Sequence, residues 1–366
     1  MNTVIKRPKA KAFFDLVNRR IRRLRCLPVL PRTFCLAVTY KCNGKCTMCN
    51  LWKVYRENPK LVKEELSLSE IQNFLSDREF FKDLDFVYLS GGEPFLREDL
   101  PEIVKSIHEC NPTCIVYVAT NGFLTDNIIK TTKEILSTHP RFQIGVSLDG
   151  INEIHDKIRG VKRAFKKASE TLFALKENFP NLHIQVTMTV TPINLKHVPY
   201  VYDFCKKNGF FPRIGLASVS EYFQNLPAHF KYSKEEIEEL KKHFHAIGRD
   251  IIQERGKINA LMELFWLDGS IKFLTNPTIR LVPCYAGFVS FYIDPYGTVY
   301  PCYNFFEKMG NIRKQKIRDV WFSKTSQTIR KRILRNQCPN CWIVHEASSN
   351  MSSDYFRKYK YLLKRY

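Results

Sequence analysis

From Phe34 to Ala217 the chain repeats one pattern: a short apolar, β-branched run followed by a stretch of helical periodicity. The runs are Phe34–Thr39, Phe86–Ser90, Ile115–Thr120, Phe142–Leu148, His183–Val190 and Phe211–Ala217. Helical spacing follows at Ser69–Leu75, Leu100–Glu109, Asp126–Ser137, Arg163–Asn178 and Val198–Lys207. Successive β–α units of this kind predict parallel strands with helical crossovers, because a tight turn cannot join parallel neighbours. A sheet built that way carries its working residues at the carboxyl ends of the strands.

The rhythm stops beyond residue 230. Residues 231–280 read as a helical connector, with helices expected over Lys234–Arg255 and Lys257–Phe273. Residues 281–346 hold short β-like runs, Phe288–Ile293 and Thr298–Tyr300, joined by the turn sequence DPYG. A small Cys-bearing α+β domain is expected there, followed by a basic aromatic tail over 347–366. Ahead of the barrel-like region 34–230 lies a basic leader, residues 1–33. Phe13, Phe14, Val17, Ile21 and Leu24 recur in it at helical spacing, and arginines crowd the other faces. Such a helix suits either an anionic membrane surface or the body of the protein itself.

Composition sets outer limits. At 44% hydrophobic and 26% charged residues, the 366-residue chain is ordinary globular material, not a disordered or fibrous one. Its start breaks into charge before any apolar run develops, unlike a secretory signal, and no apolar stretch reaches the ~18 residues of a membrane span. A cytoplasmic protein, peripheral to the membrane at most, is expected. Lys and Arg total 58 against 36 Asp and Glu, a net +22 that attracts nucleic acid, anionic lipid or acidic small molecules. No basic–aromatic recognition module stands out beyond the short tail, so the case for nucleic acid is thin.

Twelve cysteines in such a chain are not expected to form a disulfide framework. Cys26, Cys35, Cys110, Cys114 and Cys205 are scattered, and most lie in apolar surroundings as core residues do. The other seven cluster. Directly after the first strand, TYKCNGKCTMCNLW places Cys42, Cys46 and Cys49 in one compact loop. Three thiolates suit a 4Fe–4S cluster that leaves one iron open, with zinc as the alternative. Cys284, Cys302, Cys338 and Cys341 supply four more, enough for a second cluster or a structural zinc.

The loop CxxxCxxC is followed by GGEP (Gly91, Gly92, Glu93, Pro94) after the second strand, TNG (Thr120–Gly122) after the third, SLDG (Ser147–Gly150) after the fourth, and HDKIRG (His155–Gly160) beyond. Over residues 34–217 this resembles the radical S-adenosylmethionine (radical SAM) superfamily. The resemblance implies a partial (β/α)6 TIM-like barrel. It also implies that Cys42, Cys46 and Cys49 hold a 4Fe–4S cluster whose fourth iron chelates the methionyl group of SAM. By the same resemblance Gly91, Gly92, Glu93 and Pro94 bind the methionyl amine, with Asn121 alongside. Ser147 and Asp149 are candidates for the ribose or carboxylate, Arg159 for the carboxylate, and Thr187 and Thr189 for the adenosine pocket. The chemistry implied is reductive cleavage of SAM to a 5′-deoxyadenosyl radical that abstracts hydrogen from a substrate.

The later cysteines, Cys284…Gly297-x4-Cys302…Cys338-x2-Cys341, look like the SPASM or twitch extensions of that superfamily. A full SPASM domain carries further cysteines after CxxC, and CPNCWIVHEASSNMSSD has none. The resemblance therefore implies one auxiliary 4Fe–4S cluster held by those four residues, with His345 a distant candidate. The resemblance further implies an electron donor such as flavodoxin or ferredoxin.

Three substrate classes compete. A ribosomally made peptide would be oxidised, cross-linked or epimerised, although only the 33-residue leader precedes the barrel where a peptide-binding domain is usual. A small phosphorylated or amino-sugar metabolite, or a lipid at the membrane surface, is the alternative. Asp268 and Glu263 are candidate substrate-site bases. A non-enzymatic iron–sulfur scaffold or nucleic-acid-binding protein is the distant reading, and it has no use for the SAM-pocket motifs.

Overall fold

The computed structural model describes residues 9–226 and 230–342. The expected tail, His345 and the side chain of Phe13 lie outside the described residues. Helix α1 (Lys9–Leu24) leads into β1 (Thr33–Thr39), α2 (Leu51–Glu57) and α3 (Leu68–Leu75). Five further units follow: β2 (Phe86–Gly91) and α4 (Leu100–Cys110); β3 (Ile115–Thr120) and α5 (Thr125–Thr138); β4 (Phe142–Ser147), α6 (Glu153–Arg159) and α7 (Ala164–Asn178); β5 (His183–Val190) and α8 (Val198–Asn208); and β6 (Phe211–Leu216). The expected pair of connector helices is α9 (Lys234–Asn259) and α10 (Leu261–Thr275), and the chain breaks from helical geometry at Gly256, φ +73°. The last elements are β7 (Ser290–Ile293), β8 (Thr298–Tyr300), β9 (Gly310–Asn311), α11 (Ile317–Phe322) and α12 (Lys324–Leu334).

Strands β1 to β6 are parallel in sequential order. The curved sheet sorts its residues by the strand period of two. Along β5, Ile184, Val186, Met188 and Val190 are buried on one face, whereas Gln185, Thr187 and Thr189 line a cavity on the other. Gly145 of β4 is small for a steric reason: a Cβ there would fall 1.6 Å from the Tyr117 hydroxyl, which occupies the space.

The Cys-bearing C-terminal region continues the sheet of the barrel. Strand β7 pairs parallel with β1, Thr33 opposite Ser290 through Leu36 opposite Ile293, and one sheet runs β6-β5-β4-β3-β2-β1-β7-β8-β9. That pairing occupies the edge of β1, whose backbone groups would otherwise lack a partner strand. Aromatic packing seals the join: Phe34 stacks on Phe291 at 5.5 Å and meets Phe74 edge-on at 5.6 Å. The DPYG turn forms as expected, with Asp294 Oδ1 accepting from the Tyr296 and Thr298 N–H groups and Gly297 at φ +82°.

A guanidinium clamp completes the join. Arg313, beyond β9, donates to both carboxylate oxygens of Glu70 (2.6 and 3.0 Å) and to the carbonyls of Glu64 and Glu65. Glu70 also closes a capping box with Ser67 at the start of α3. Arg313 is the main reason that the Glu70 carboxyl is held down to about 2. A depressed carboxylate pKa stabilises the fold above its unfolded value and loses that contribution as pH falls through the folded one. The pair is solvent-screened, so ~1 kcal/mol or less is at stake. We expect wild type to lose more thermal stability than Glu70→Gln between pH 5 and pH 2; equal losses in a differential scanning measurement would contradict the clamp.

Candidate cluster and cofactor site

The three cysteines of the first loop border a cavity of about 330 Å³ at the carboxyl ends of the barrel strands. The loop is held on two sides. The end of α6 accepts from it, through Lys45 N–H to Arg159 O (2.9 Å) and Thr47 N–H to Ile158 O (2.8 Å). The segment after β2 donates to it, through Gly92 N–H to Thr39 O (2.7 Å) and Glu93 N–H to Lys41 O (2.8 Å). Close approach explains the paired glycines. A Cβ on Gly91 would lie 2.1 Å from Thr39 O, and one on Gly92 2.2 Å from Lys41 O.

Gly91, Gly92, Asn121, Ser147, Arg159, Thr187 and Thr189 all border the cavity with the cysteines. Glu93, Pro94 and Asp149 stand behind that wall. Glu93 is buried, accepting from Asn121 N–H (2.7 Å), the Thr120 hydroxyl (2.9 Å) and Phe95 N–H (3.2 Å). Burial pushes its carboxyl up to about 7, and these donors oppose that. Pro94 opens a short 3-10 turn, Pro94–Leu96. Glu93 is thus the brace that ties the GGEP turn to the start of the TNG loop.

Asp149 is the counter-ion beneath the cavity. Its Oδ2 lies 2.6 Å from Arg159 Nη2, and its Oδ1 accepts from Thr189 N–H at 2.8 Å. Burial raises the carboxyl against these two favourable partners. The Asp149 N–H donates to His155 Nδ1 at 2.9 Å, and burial drives that imidazole down to about 2, keeping it a neutral acceptor. The arginine so positioned puts Nη1 3.6 Å from Cys46 Sγ, while its buried Nε has no hydrogen-bond partner among the described residues. A buried guanidinium donor with spare capacity beside three sulfurs fits a carboxylate-bearing ligand of a cluster.

The thiols are poor ligands until something positive binds them. Burial pushes Cys42 and Cys49 up to about 12, and Cys46 up as well; bound iron would hold them as thiolates instead. Cys284, Cys302, Cys338 and Cys341 surround a second, small cavity, with Arg280 Nη2 donating to Cys338 Sγ at 3.0 Å. Arg280 Nη1 is buried without a hydrogen-bond partner among the described residues. All four sulfurs and a cation around one hollow fit an anionic cluster with complete cysteine ligation. Among the described residues, no three His, Cys, Asp or Glu side chains close on the position of a single metal ion.

The candidate bases fall elsewhere. Asp268 borders a different cavity, between α9 and α10, and pairs with Lys272 at 2.7 Å; Glu263 pairs with Arg255 at 3.3 Å. Neither borders the cysteine cavity. That cavity has residues which spacing alone did not single out: Tyr117, Arg213, Tyr222 and Tyr303. Arg213 shares the inward face of β6 with Gly215, and Tyr303 adjoins Cys302, so strand period and chain proximity were the available signals. Tyr222 and Tyr303 pack with ring centres 5.4 Å apart.

Gly92→Ala must displace the Lys41 carbonyl, a strain of about 1–3 kcal/mol. Isothermal titration should show SAM bound roughly 10- to 100-fold more weakly with the fold intact by circular dichroism. Unchanged affinity would show that the glycine pair is a simple turn.

Residues 36–205 match the Radical SAM superfamily, and residues 284–342 match the SPASM iron–sulfur cluster-binding domain. A probable GTP 3′,8-cyclase of Methanococcus vannielii is 30% identical over 62% of this chain and 72% of its own. The sporulation killing factor maturation protein SkfB of Bacillus subtilis is 26% identical over 80% of this chain and 65% of its own. The Fe-coproporphyrin III synthase of Methanosarcina barkeri is 32% identical, but the match covers 48% of this chain and only 41% of that protein. Among solved structures, Streptococcus suis SuiB bound to S-adenosylmethionine overlays with TM-score 0.62 over 90% of this chain and 74% of its own, at 17% identity. The anSMEcpe enzyme with bound AdoMet overlays with TM-score 0.61 over 91% of this chain and all of its own, also at 17% identity. A partial parallel barrel with cysteines, glycine pair and buried arginine at its strand ends, followed by a four-cysteine extension, thus belongs to the radical SAM superfamily of SAM- and iron–sulfur-dependent enzymes, in its SPASM-bearing branch.

Proposed function

We propose that this enzyme oxidises, cross-links or epimerises a peptide, with Cys42, Cys46 and Cys49 holding the SAM-binding cluster and the later four cysteines one auxiliary cluster. The observation that carries this reading is one cavity bordered both by the first three cysteines and by Tyr303, the neighbour of Cys302. Substrate held there lies against both halves of the protein. When bound, SAM and a reduced cluster supply hydrogen abstraction from an unactivated carbon, and an auxiliary cluster supplies a one-electron acceptor. The chain's own part is placement and exclusion of water. Arg159, fixed by Asp149, takes the SAM carboxylate; the Gly91–Gly92 backbone takes the amine; Asn121, Ser147, Thr187 and Thr189 border the nucleoside. Leu51, Leu216, Phe223 and Tyr222 wall the space above with apolar and aromatic surface. The breadth of the SkfB match and the overlay with SuiB bound to its precursor peptide SuiA (TM-score 0.62) support a peptide. A flavodoxin- or ferredoxin-like protein would deliver the reducing electron.

A second reading has its own observation. Arg213 places a cation inside the barrel, and cyclases of GTP are among the relatives. A small phosphorylated metabolite would use that arginine as its anchor.

Release of 5′-deoxyadenosine from the anaerobically reconstituted enzyme separates the two. A rise of at least about tenfold with native peptide fractions, unaffected by Arg213→Met, is expected. A rise confined to phosphorylated metabolites and lost in Arg213→Met would overturn the peptide reading in favour of the second.

A further inference from the structure

Helix α1 turns its polar side inward. Arg19 pairs with Asp15; Arg22 donates to the Pro28 carbonyl through Nε (3.1 Å) and Nη2 (2.8 Å). Arg23 donates to the carbonyl of Cys284 at 2.6 Å and lies over the Tyr285 ring at 5.2 Å. At about 100° per residue, Asp15, Arg19, Arg22 and Arg23 share one face of the helix. The opposite face carries Ile21, 46% exposed, and Leu24, 67% exposed, with Phe14 at 71% in line with them. Leu27, just past the helix, is 42% exposed. Arg20 and Arg25 are exposed on the borders of this stripe. An amphipathic helix ordinarily rests its apolar face on the core. Here rotation to that position would break the attachments of Arg22 and Arg23, the second of them to the carbonyl of an auxiliary-site cysteine.

We propose that this face docks the enzyme on an anionic membrane surface, with Ile21, Leu24 and Leu27 entering the interface and Arg20 and Arg25 meeting lipid phosphates. Charge selects the occupant. A second copy of the chain would bring two such arginine borders, and two net charges of +22, against each other. An anionic leaflet is complementary to both the borders and the overall field. The apolar strip with cationic flanks is the pattern of a helix lying in the plane of the interface, and no helix of the described residues is long and apolar enough to cross a membrane.

The test uses the full, reconstituted chain in flotation with phosphatidylcholine vesicles, with and without phosphatidylglycerol. Binding should require phosphatidylglycerol. It should weaken about tenfold or more in Ile21→Ser/Leu24→Ser and in Arg20→Gln/Arg25→Gln. It should also fall as salt rises from about 0.1 to 1 M and the screening length shrinks from ~10 to ~3 Å. Unchanged 5′-deoxyadenosine release confirms that the variants fold, since these residues lie away from the cysteine cavity. Failure to float with phosphatidylglycerol vesicles would overturn the proposal, as would equal flotation of the Ile21/Leu24 variant. A concentration-dependent dimer lost in that variant, without vesicle binding, would overturn it in favour of self-association.

Discussion

The site depends on a backbone interlock between the cysteine loop and the turn after β2. Two donated N–H groups, from Gly92 and Glu93, satisfy carbonyls at Thr39 and Lys41 and fix where Cys42 begins. The interlock needs two adjacent residues without side chains, because Cβ atoms there would overlap those carbonyls. Glu93 then anchors the turn to Thr120 and Asn121, which carries its position on to the next strand end. From the opposite side the end of α6 holds Lys45 and Thr47, and the same helix delivers Arg159 to Cys46. Each motif is therefore a support for the loop as well as a wall of the cavity.

Asp149 and His155 show how far that support extends. Neither reaches the cavity, yet together they fix the orientation of Arg159: one as its counter-ion, the other by accepting the Asp149 N–H. Desolvating a carboxylate and a guanidinium together is costly, and it is repaid only where geometry and added hydrogen bonds are good. Here Thr189 N–H supplies such a bond. The arrangement holds the Arg159 guanidinium beside Cys46 Sγ.

Much of this was legible in the chain. The period-two strands and their helices announce the parallel barrel, since alternation and apolar runs are local properties. Cys42, Cys46 and Cys49 stand within eight residues, so spacing alone groups them. Long-range arrangement was not legible. The pairing of β7 with β1 joins residues some 250 positions apart, and nothing in SFYI names its partner. The amphipathic pattern of α1 identifies two faces but not which one turns inward; loop carbonyls at Pro28 and Cys284 decide that. Asp268 and Glu263 were acidic residues in a plausible stretch, and packing of α10 on α9 turned both away from the cysteine cavity. Tyr222 and Tyr303 reach it from a loop and from the C-terminal extension, beyond the barrel's periodicity.

Electron paramagnetic resonance of two reduced cysteine variants tests the central claim, that the two cysteine sets hold separate clusters and that SAM meets only the first. The variant lacking Cys284, Cys302, Cys338 and Cys341 should retain about four irons per chain, against about eight in the parent, with a spectrum that shifts on adding SAM. The variant lacking Cys42, Cys46 and Cys49 should also retain about four, with a spectrum indifferent to SAM. A SAM-dependent shift in the second variant would contradict the account.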